Sequence, residues 1–235
     1  MSMATQIKSR KEQKTRSHGS YSEVAYVQIK EQILNNQLPA GFQATEQAIS
    51  ENLNMSRTPL REALIRLEKE GLVELRPRHG MRVLPISVGD MKEIYEVLTA
   101  LEATAAGLVA SKGLDDNSLR LLDKAVEDMD RALSADELEA WAQADKRFHG
   151  LLVEFCGNTR IKSLVDTYMD QSHRCRLLTL KLRPKPMKSN RDHEAVVKAI
   201  RKGDAEGAMR IHRDHRQKSG EMLVALLSEY GLLQI

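Results

Sequence analysis

The placement of proline is the sequence feature that most limits how this chain can fold. Four of its six prolines lie in the first 85 of 235 residues, and the next ones occur only at positions 184 and 186. Proline disrupts the interior of a helix, so the stretch between Pro85 and Pro184 permits a series of long helices. We therefore expect two regions of different architecture that meet near residue 85.

Helical spacing and capping residues predict three short helices in the first region. Apolar residues from Tyr26 to Leu34 repeat at helical intervals and indicate the first helix. Thr45 is placed to cap a second helix, and Ser56 is placed to cap a third that tolerates Pro59 in its first turn. Gly71 ends this third helix.

A β-hairpin is predicted directly after the third helix. Residues 72–76 and 81–84 have the character of short strands, and the segment Pro77-Arg78-His79-Gly80 between them favours a turn. Three helices followed by a hairpin are typical of a winged helix-turn-helix, whose third helix lies in the major groove of DNA. The pattern therefore indicates that the chain binds double-stranded DNA.

The candidate DNA contacts lie at the start of the third helix and at the hairpin tip. Arg57 and Arg61 are four residues apart on one helical face, where they can reach guanine edges or phosphates. The full candidate set is Thr45, Ser56, Arg57, Thr58, Arg61, Arg78, His79 and Gly80. Two alternatives stay open: the arginines form surface ion pairs with Glu62 and its neighbours, or the hairpin tip is an ordinary surface turn.

The second region is predicted to be helical throughout. Apolar stripes at helical spacing run from Met91 to Leu108 and continue, with breaks at Gly157 and Gly203, to Leu227. About six helices follow from this count. The predicted fold class is mainly α, an N-terminal winged helix-turn-helix followed by an all-α antiparallel helix bundle.

Charge and cysteine content suggest how the chain is organised and where it works. The first 20 residues contain five Lys or Arg and one Glu, which predicts a flexible basic arm or, alternatively, a merely solvated tail. Two cysteines provide no disulfide framework, and neither a secretory leader pattern nor an apolar run of about 18 residues is apparent. We expect a reduced cytoplasmic protein without a membrane partner, divided into residues 1–20, 21–84 and 85–235.

Four polar residues within the apolar stripes predict a metal site in the second region. Asp145 and His149 are four residues apart on one helix face, while His193 and His215 lie on the apolar sides of two later helices. Burying these groups without partners costs several kcal/mol, and together they offer the ligands of a divalent cation. From spacing alone, a simple ion pair between Asp145 and His149 is the more common arrangement. His212 is a competing ligand or a supporting partner of His215, whereas His173 and His18 are interpreted as surface residues.

The motifs resemble a known family. The stretch LPAGFQATEQAISENLNMSRTPLREALIRLEKEGLVELRPRHGMRVLPIS resembles the DNA-binding domain of GntR-family bacterial transcription regulators. The helical remainder resembles the FCD effector domain of their FadR-like branch. This resemblance implies a homodimer that binds operator DNA and responds to a small carboxylate effector. Two positions depart from the family pattern: Gln47 stands where many relatives have a basic residue, and Leu98 stands where they often have an arginine that holds the effector.

The resemblance also implies that Asp145, His149, His193 and His215 bind a divalent metal ion. Zinc is the default for such ligands, with nickel, manganese and iron as alternatives. Candidate charge partners for the effector are Arg174, Arg176 and Arg147, each of which is equally compatible with an ordinary surface role.

The rival function is a metal-dependent hydrolase or oxygenase with an accessory winged module. It is less favoured because no residue beside the ligands is spaced as an obvious general base.

Overall fold

A computed structural model describes residues 21–231 of the chain. The predicted basic arm and His18 lie outside the described residues. The chain divides into two compact units between Pro85 and Ile86.

The first unit contains three helices and a small sheet. The helices are α1 (residues 21–34), α2 (Glu46–Asn52) and α3 (Arg57–Lys69), and the strands are β1 (Gln43–Ala44), β2 (Val73–Arg76) and β3 (Gly80–Val83). Strand β3 lies between β1 and β2 and pairs antiparallel with both. The predicted helices and hairpin are confirmed, whereas β1 was not predicted.

Helix α3 is oriented by its apolar face. Leu60, Leu64 and Leu67 are fully buried in the core of the first unit. The C-terminal part of α3 is tied to α1, because the Tyr26 hydroxyl donates to Glu70 across 2.8 Å and the Arg66 guanidinium lies 3.4 Å from the Tyr26 ring centroid. These contacts leave the opposite, N-terminal face of α3 exposed.

The second unit is a bundle of six α-helices within the described residues. They are α4 (Val88–Lys112), α5 (Asp116–Ser134), α6 (Leu138–Phe155), α7 (Thr159–Leu178), α8 (Met187–Arg201) and α9 (Ala205–Glu229). A short 3-10 turn, Leu180–Leu182, connects α7 to the proline-containing segment before α8. The predicted mainly α fold is confirmed. Helix α8 begins at Met187, so that His193 lies within it and not at its start.

Helix α4 packs along α9, and a glycine permits their close approach. A Cβ atom on Gly220 would lie 2.8 Å from the ring of Tyr95, so a larger residue there would push the helices apart. By length and composition α4 could cross a membrane, but 56% of its most apolar window is buried inside the bundle, as in the core helix of a soluble protein. Leu108, which was predicted in the buried stripe, is 40% exposed because it lies at the edge of the buried arc of α4.

Candidate functional site

A basic hollow on the first unit collects most of the predicted DNA contacts. Its volume is about 520 Å³, and its lining includes Thr45, Arg57, Arg61, Arg78 and Gly80, together with Gln47 and Arg76. These residues come from the start of α2, the start of α3 and the hairpin. The third helix and the wing therefore present their basic side chains to one common concavity.

Arg57 and Arg61, in the N-terminal half of α3, are exposed and accessible. Arg57 donates to the Gln47 side-chain oxygen across 3.0 Å, and neither Arg57 nor Arg61 forms an ion pair with a described residue. The alternative of ion pairing with Glu62 is thus absent from this part of the chain. Gln47, the departure from the family pattern, orients one of these arginines.

The three predicted hydroxyl residues, Thr45, Ser56 and Thr58, differ in whether the side chain caps a helix. Thr45 caps α2, because its side-chain oxygen accepts a hydrogen bond from the Ala48 N–H across 3.2 Å. Ser56 precedes α3 without a side-chain capping bond, and Thr58 is exposed in the first turn. The first N–H groups of α3 are consequently open to an anion such as phosphate.

The hairpin tip has a fixed backbone conformation. Gly80 has φ +79°, and a Cβ atom there would lie 2.1 Å from the carbonyl oxygen of Ala44. Arg78 adopts φ +65°, a left-handed conformation that is uncommon for a side-chain-bearing residue. His79 is exposed at the tip beside it but does not line the hollow.

The predicted metal ligands converge inside the second unit. Asp145 and His149 come from α6, His193 from α8 and His215 from α9, and all four are buried. Oδ1 of Asp145 lies 3.6 Å from Nε2 of His149 and 3.8 Å from Nε2 of His193. The histidines of this group each offer a nitrogen within 4.8 Å of the others.

The hydrogen bonding of these histidines fits a metal ion. Nε2 of His149 and both ring nitrogens of His193 are buried and have no hydrogen-bond partner within residues 21–231. A buried polar atom left unsatisfied costs about 1–3 kcal/mol, so several at one point indicate a missing partner. Phe148 packs against the His193 ring with centroids 4.4 Å apart, which limits the rotation of that imidazole.

Glu102 is a buried residue of this cluster that the sequence patterns did not reveal. It lies on α4 and is fully buried, and its Oε2 contacts Nδ1 of His149 at 2.7 Å and Nε2 of His212 at 3.1 Å. Its other oxygen pairs with Arg216 at 2.9 Å. Its position in the apolar run of α4 was the available signal, because an isolated carboxylate there requires partners.

Glu102 and His212 form, with His149, a second group of potential metal ligands. The two groups use different nitrogens of His149, since Nδ1 faces Glu102 and Nε2 faces Asp145. His215 resembles His149 in that its Nδ1 lies 3.6 Å from a carboxylate oxygen, here that of Asp192. The 2.7 Å contact with Glu102 fixes the tautomer of His149 that presents Nε2 to a metal.

The charges of the cluster follow from burial and from these contacts. Burial raises the pKa of Glu102, but Arg216 and His149 outweigh it and hold that pKa well below its usual range. Burial likewise opposes the ionisation of Asp145, yet His149 and Arg176 keep its pKa well below the ordinary value. Both carboxylates are therefore anionic and can act as acceptors.

The pKa values of the buried histidines also differ from one another. It lowers the pKa of His193 well below the ordinary value and that of His212 to about 4. For His149 burial acts in the same direction, but the negative charges of Glu102 and Asp145 outweigh it and raise the pKa. Neutral imidazoles are the form that binds a metal.

A cavity of about 220 Å³ adjoins the histidine cluster. Asp145, His149 and His215 line it, together with Tyr95, Trp141 and the three arginines Arg176, Arg183 and Arg216. This volume is below the roughly 300–1,000 Å³ that is usual for ligand pockets, so the cavity suits a small molecule.

The three predicted effector contacts have different positions. Arg176 lines the cavity and pairs with Asp145. Arg147 instead forms an exposed ion pair with Asp128 at 2.7 Å, and Arg174 is buried within α7 away from the cavity lining. The structure does not bring Arg147 and Arg174 to the cavity, because they lie on other faces of their helices; Arg183 and Arg216 line it without having been predicted.

Comparisons with known proteins agree with this architecture. Residues 21–83 match the model of the bacterial regulatory proteins of the gntR family, and residues 93–218 match that of the FCD domain. An HTH-type transcriptional regulator from the TAR-I ttuE-ttuC′ intergenic region of Agrobacterium vitis is 43% identical over 55% of this chain and 77% of its own length. The regulator YdhC of Bacillus subtilis is 29% identical over 87% of this chain and 91% of its own.

The fold is also similar to a solved structure. Escherichia coli McbR/YncC superimposes with a TM-score of 0.74 over 88% of this chain and 98% of that one, at 19% identity. The sequence relatives are described as transcriptional regulators, so the alternative of a metal-dependent enzyme is not supported.

Proposed function

This chain belongs to the GntR family of bacterial transcription regulators and carries an FCD domain, and from this premise we propose that its first unit binds double-stranded operator DNA. The observation that carries the proposal is the shared basic hollow, where Arg57 and Arg61 meet the hairpin arginine Arg78. The start of α3 enters the major groove, and Arg78 and His79 at the wing tip contact the adjacent backbone or minor groove.

The contacts divide into two kinds. Arg57 and Arg61 read base edges, since arginine matches the paired acceptors of guanine. Ser56, Thr58 and the free N–H groups of α3 hold a phosphate, which positions the helix. Thr45 and Gly80 act indirectly, Thr45 by capping α2 and Gly80 by shaping the wing.

The second unit would hold a divalent metal ion through Asp145, His149, His193 and His215, with zinc as the default for this donor set. When bound, the ion supplies a Lewis-acidic centre with coordination positions open to a carboxylate. Glu102 orients the imidazole of His149, and Asp192 lies 3.6 Å from Nδ1 of His215. His212 supports the site through its contact with Glu102.

The cavity beside the cluster binds a small carboxylate effector. Three arginines, Arg176, Arg183 and Arg216, line it, and the bulk of Trp141 limits the size of the molecule that fits. Because residues of α4, α6, α7, α8 and α9 line the cavity, occupancy favours one arrangement of these helices over another.

The regulator works in the cytoplasm as a homodimer, so that its two winged units each bind one half-site of the operator. The effector changes DNA affinity by shifting the population of helix arrangements in the bundle. The cavity binds the effector without catalysing a reaction, and the signal is the change in the arrangement of the helices.

A gel-shift titration of the upstream region of its own gene tests the DNA proposal. Wild type is compared with Arg57→Ala and with Lys69→Ala, a control at the far end of the same helix. We expect Arg57→Ala to weaken binding by about 1–3 kcal/mol and Lys69→Ala to retain wild-type affinity. If no upstream fragment is shifted by wild type at low salt, the operator proposal fails.

A further inference from the structure

Arg183 is a cavity-lining cation whose side chain is held in place by uncharged partners. It follows the 3-10 turn after α7 and is partly buried. Its Nε and Nη2 donate to Oγ1 of Thr179 at 3.2 and 2.6 Å, and Nη2 also donates to the carbonyl oxygen of Arg176 at 2.9 Å. The guanidinium is thus oriented before any ligand arrives.

The other two arginines of the cavity have carboxylate partners. Arg176 pairs with Asp145, and Arg216 pairs with Glu102. Within residues 21–231, Arg183 forms no ion pair, and its Nη1 makes no hydrogen bond. An arginine stays charged even when it is partly buried. Arg183 is therefore a positive charge without a counter-ion in the described part of the chain.

Arg183 lies close to the histidine cluster without belonging to it. The backbone oxygen of Arg176 contacts Arg183, while the guanidinium of Arg176 contacts Asp145. Asp145, His149 and His215 line the same small cavity as Arg183. A molecule in this cavity with one anionic group at the cluster can therefore direct a second group toward Arg183.

We propose that the effector carries two anionic groups and that Arg183 binds the one that lies away from the histidine cluster. The inference rests on the proposed effector cavity and narrows its ligand from carboxylates in general to molecules with two anionic groups, called dianions below whatever their net charge. The second group is a carboxylate or a phosphate, since a guanidinium pairs with either through charged hydrogen bonds.

Calorimetric titration of the zinc-loaded full chain with matched acids tests the proposal. Malate is compared with α-hydroxybutyrate, which has a methyl group in place of the second carboxylate, and phosphoglycolate is compared with glycolate. We expect wild type to prefer at least one dianion over its monoanionic counterpart by about 10- to 100-fold, the value of a charged hydrogen bond. The preferred pair identifies the second group as carboxylate or phosphate.

Three variants assign the preference to Arg183. In Arg183→Gln the dianion and the monoanion should bind equally, to within about twofold, while the affinity for the monoanion is unchanged. Arg183→Lys should recover part of the preference because it restores the charge. Arg147→Gln, which removes an exposed arginine outside the cavity, should retain it in full.

The outcomes separate the two proposals. If wild type binds monoanions as tightly as dianions, or if Arg183→Gln keeps the preference, the role of Arg183 is overturned while the effector cavity stands. If wild type binds none of the four acids, the carboxylate-sensing function itself fails, and the inference fails with it.

Discussion

Nδ1 of His149 donates to Oε2 of Glu102 across 2.7 Å, within the buried core of the bundle. Glu102 comes from α4 and His149 from α6, so the contact joins two helices. Because Nδ1 is engaged, Nε2 is the nitrogen of His149 that faces Asp145. The tautomer of this proposed metal ligand is therefore set by a residue on another helix.

Replacing Glu102 with glutamine should weaken metal binding by about 10- to 100-fold, the usual effect of removing a carboxylate that supports a metal-bound histidine. Glutamine keeps the size of the side chain but removes the charge. Competition with a chromogenic chelator measures the zinc affinity. An affinity equal to that of wild type would show that Glu102 does not support the site.

The same substitution leaves Arg216 buried without its counter-ion, which costs about 3–5 kcal/mol of stability. The double variant Glu102→Gln, Arg216→Met removes both charges and should recover most of that loss in urea denaturation. Its metal affinity should stay as low as in Glu102→Gln. This second variant separates a loss of metal affinity from a failure to fold.

His193→Ala should abolish stoichiometric metal binding, whereas His212→Ala should retain bound metal with reduced affinity. Among the described residues neither nitrogen of His193 has a hydrogen-bond partner, while Nε2 of His212 contacts Glu102. Elemental analysis of the two purified variants gives the metal content directly. Retention of metal in His193→Ala together with its loss in His212→Ala would place the ion in the group formed by Glu102, His149 and His212.

Most of the fold could be predicted from local sequence patterns, because helix capping and apolar spacing act over a few residues. Thr45 caps α2 as predicted, and the predicted helices of both units are present. Strand β1 was missed since its two residues gain their structure from pairing with β3, a contact distant in sequence. A pattern of this length carries too little local signal.

The site was predictable in part for the same reason. Asp145 and His149 share a helix face, but their contacts with His193 and Glu102 depend on how α4, α6 and α8 pack. Arg183 was overlooked because its place in the cavity is set by the turn after α7. Spacing along one helix cannot predict such contacts between elements.

Gly80→Ala should destabilise the first unit by more than Gly41→Ala. Both glycines have φ near +80°, so both substitutions introduce the left-handed strain of about 1–2 kcal/mol. Only at Gly80 would the new Cβ atom also collide with the backbone of Ala44, whereas nothing lies within 4 Å of the corresponding position at Gly41. Urea denaturation of the two variants measures the difference, and equal losses would contradict the predicted clash.

Acid should destabilise the bundle in part through His173, which was predicted on the surface but is partly buried in α7. Burial, aided by the charges of Lys146 and Arg176, lowers its pKa from 6.5 to about 4. Between these two values the unfolded chain binds a proton that the folded chain does not, so stability falls as the pH drops below 6.5.

Relative to pH 7, wild type should lose about 1–2 kcal/mol more stability at pH 5 than His173→Gln, which cannot take up this proton. Both proteins are denatured with urea in the presence of a chelator, so that release of metal at low pH does not contribute. The variant should also be compared with wild type at pH 7, where the His173 proton has little effect and any difference reports packing alone. Parallel stability curves between pH 7 and pH 5 would show that the folded protein accommodates a charged His173, and would exclude its burial as a source of acid sensitivity.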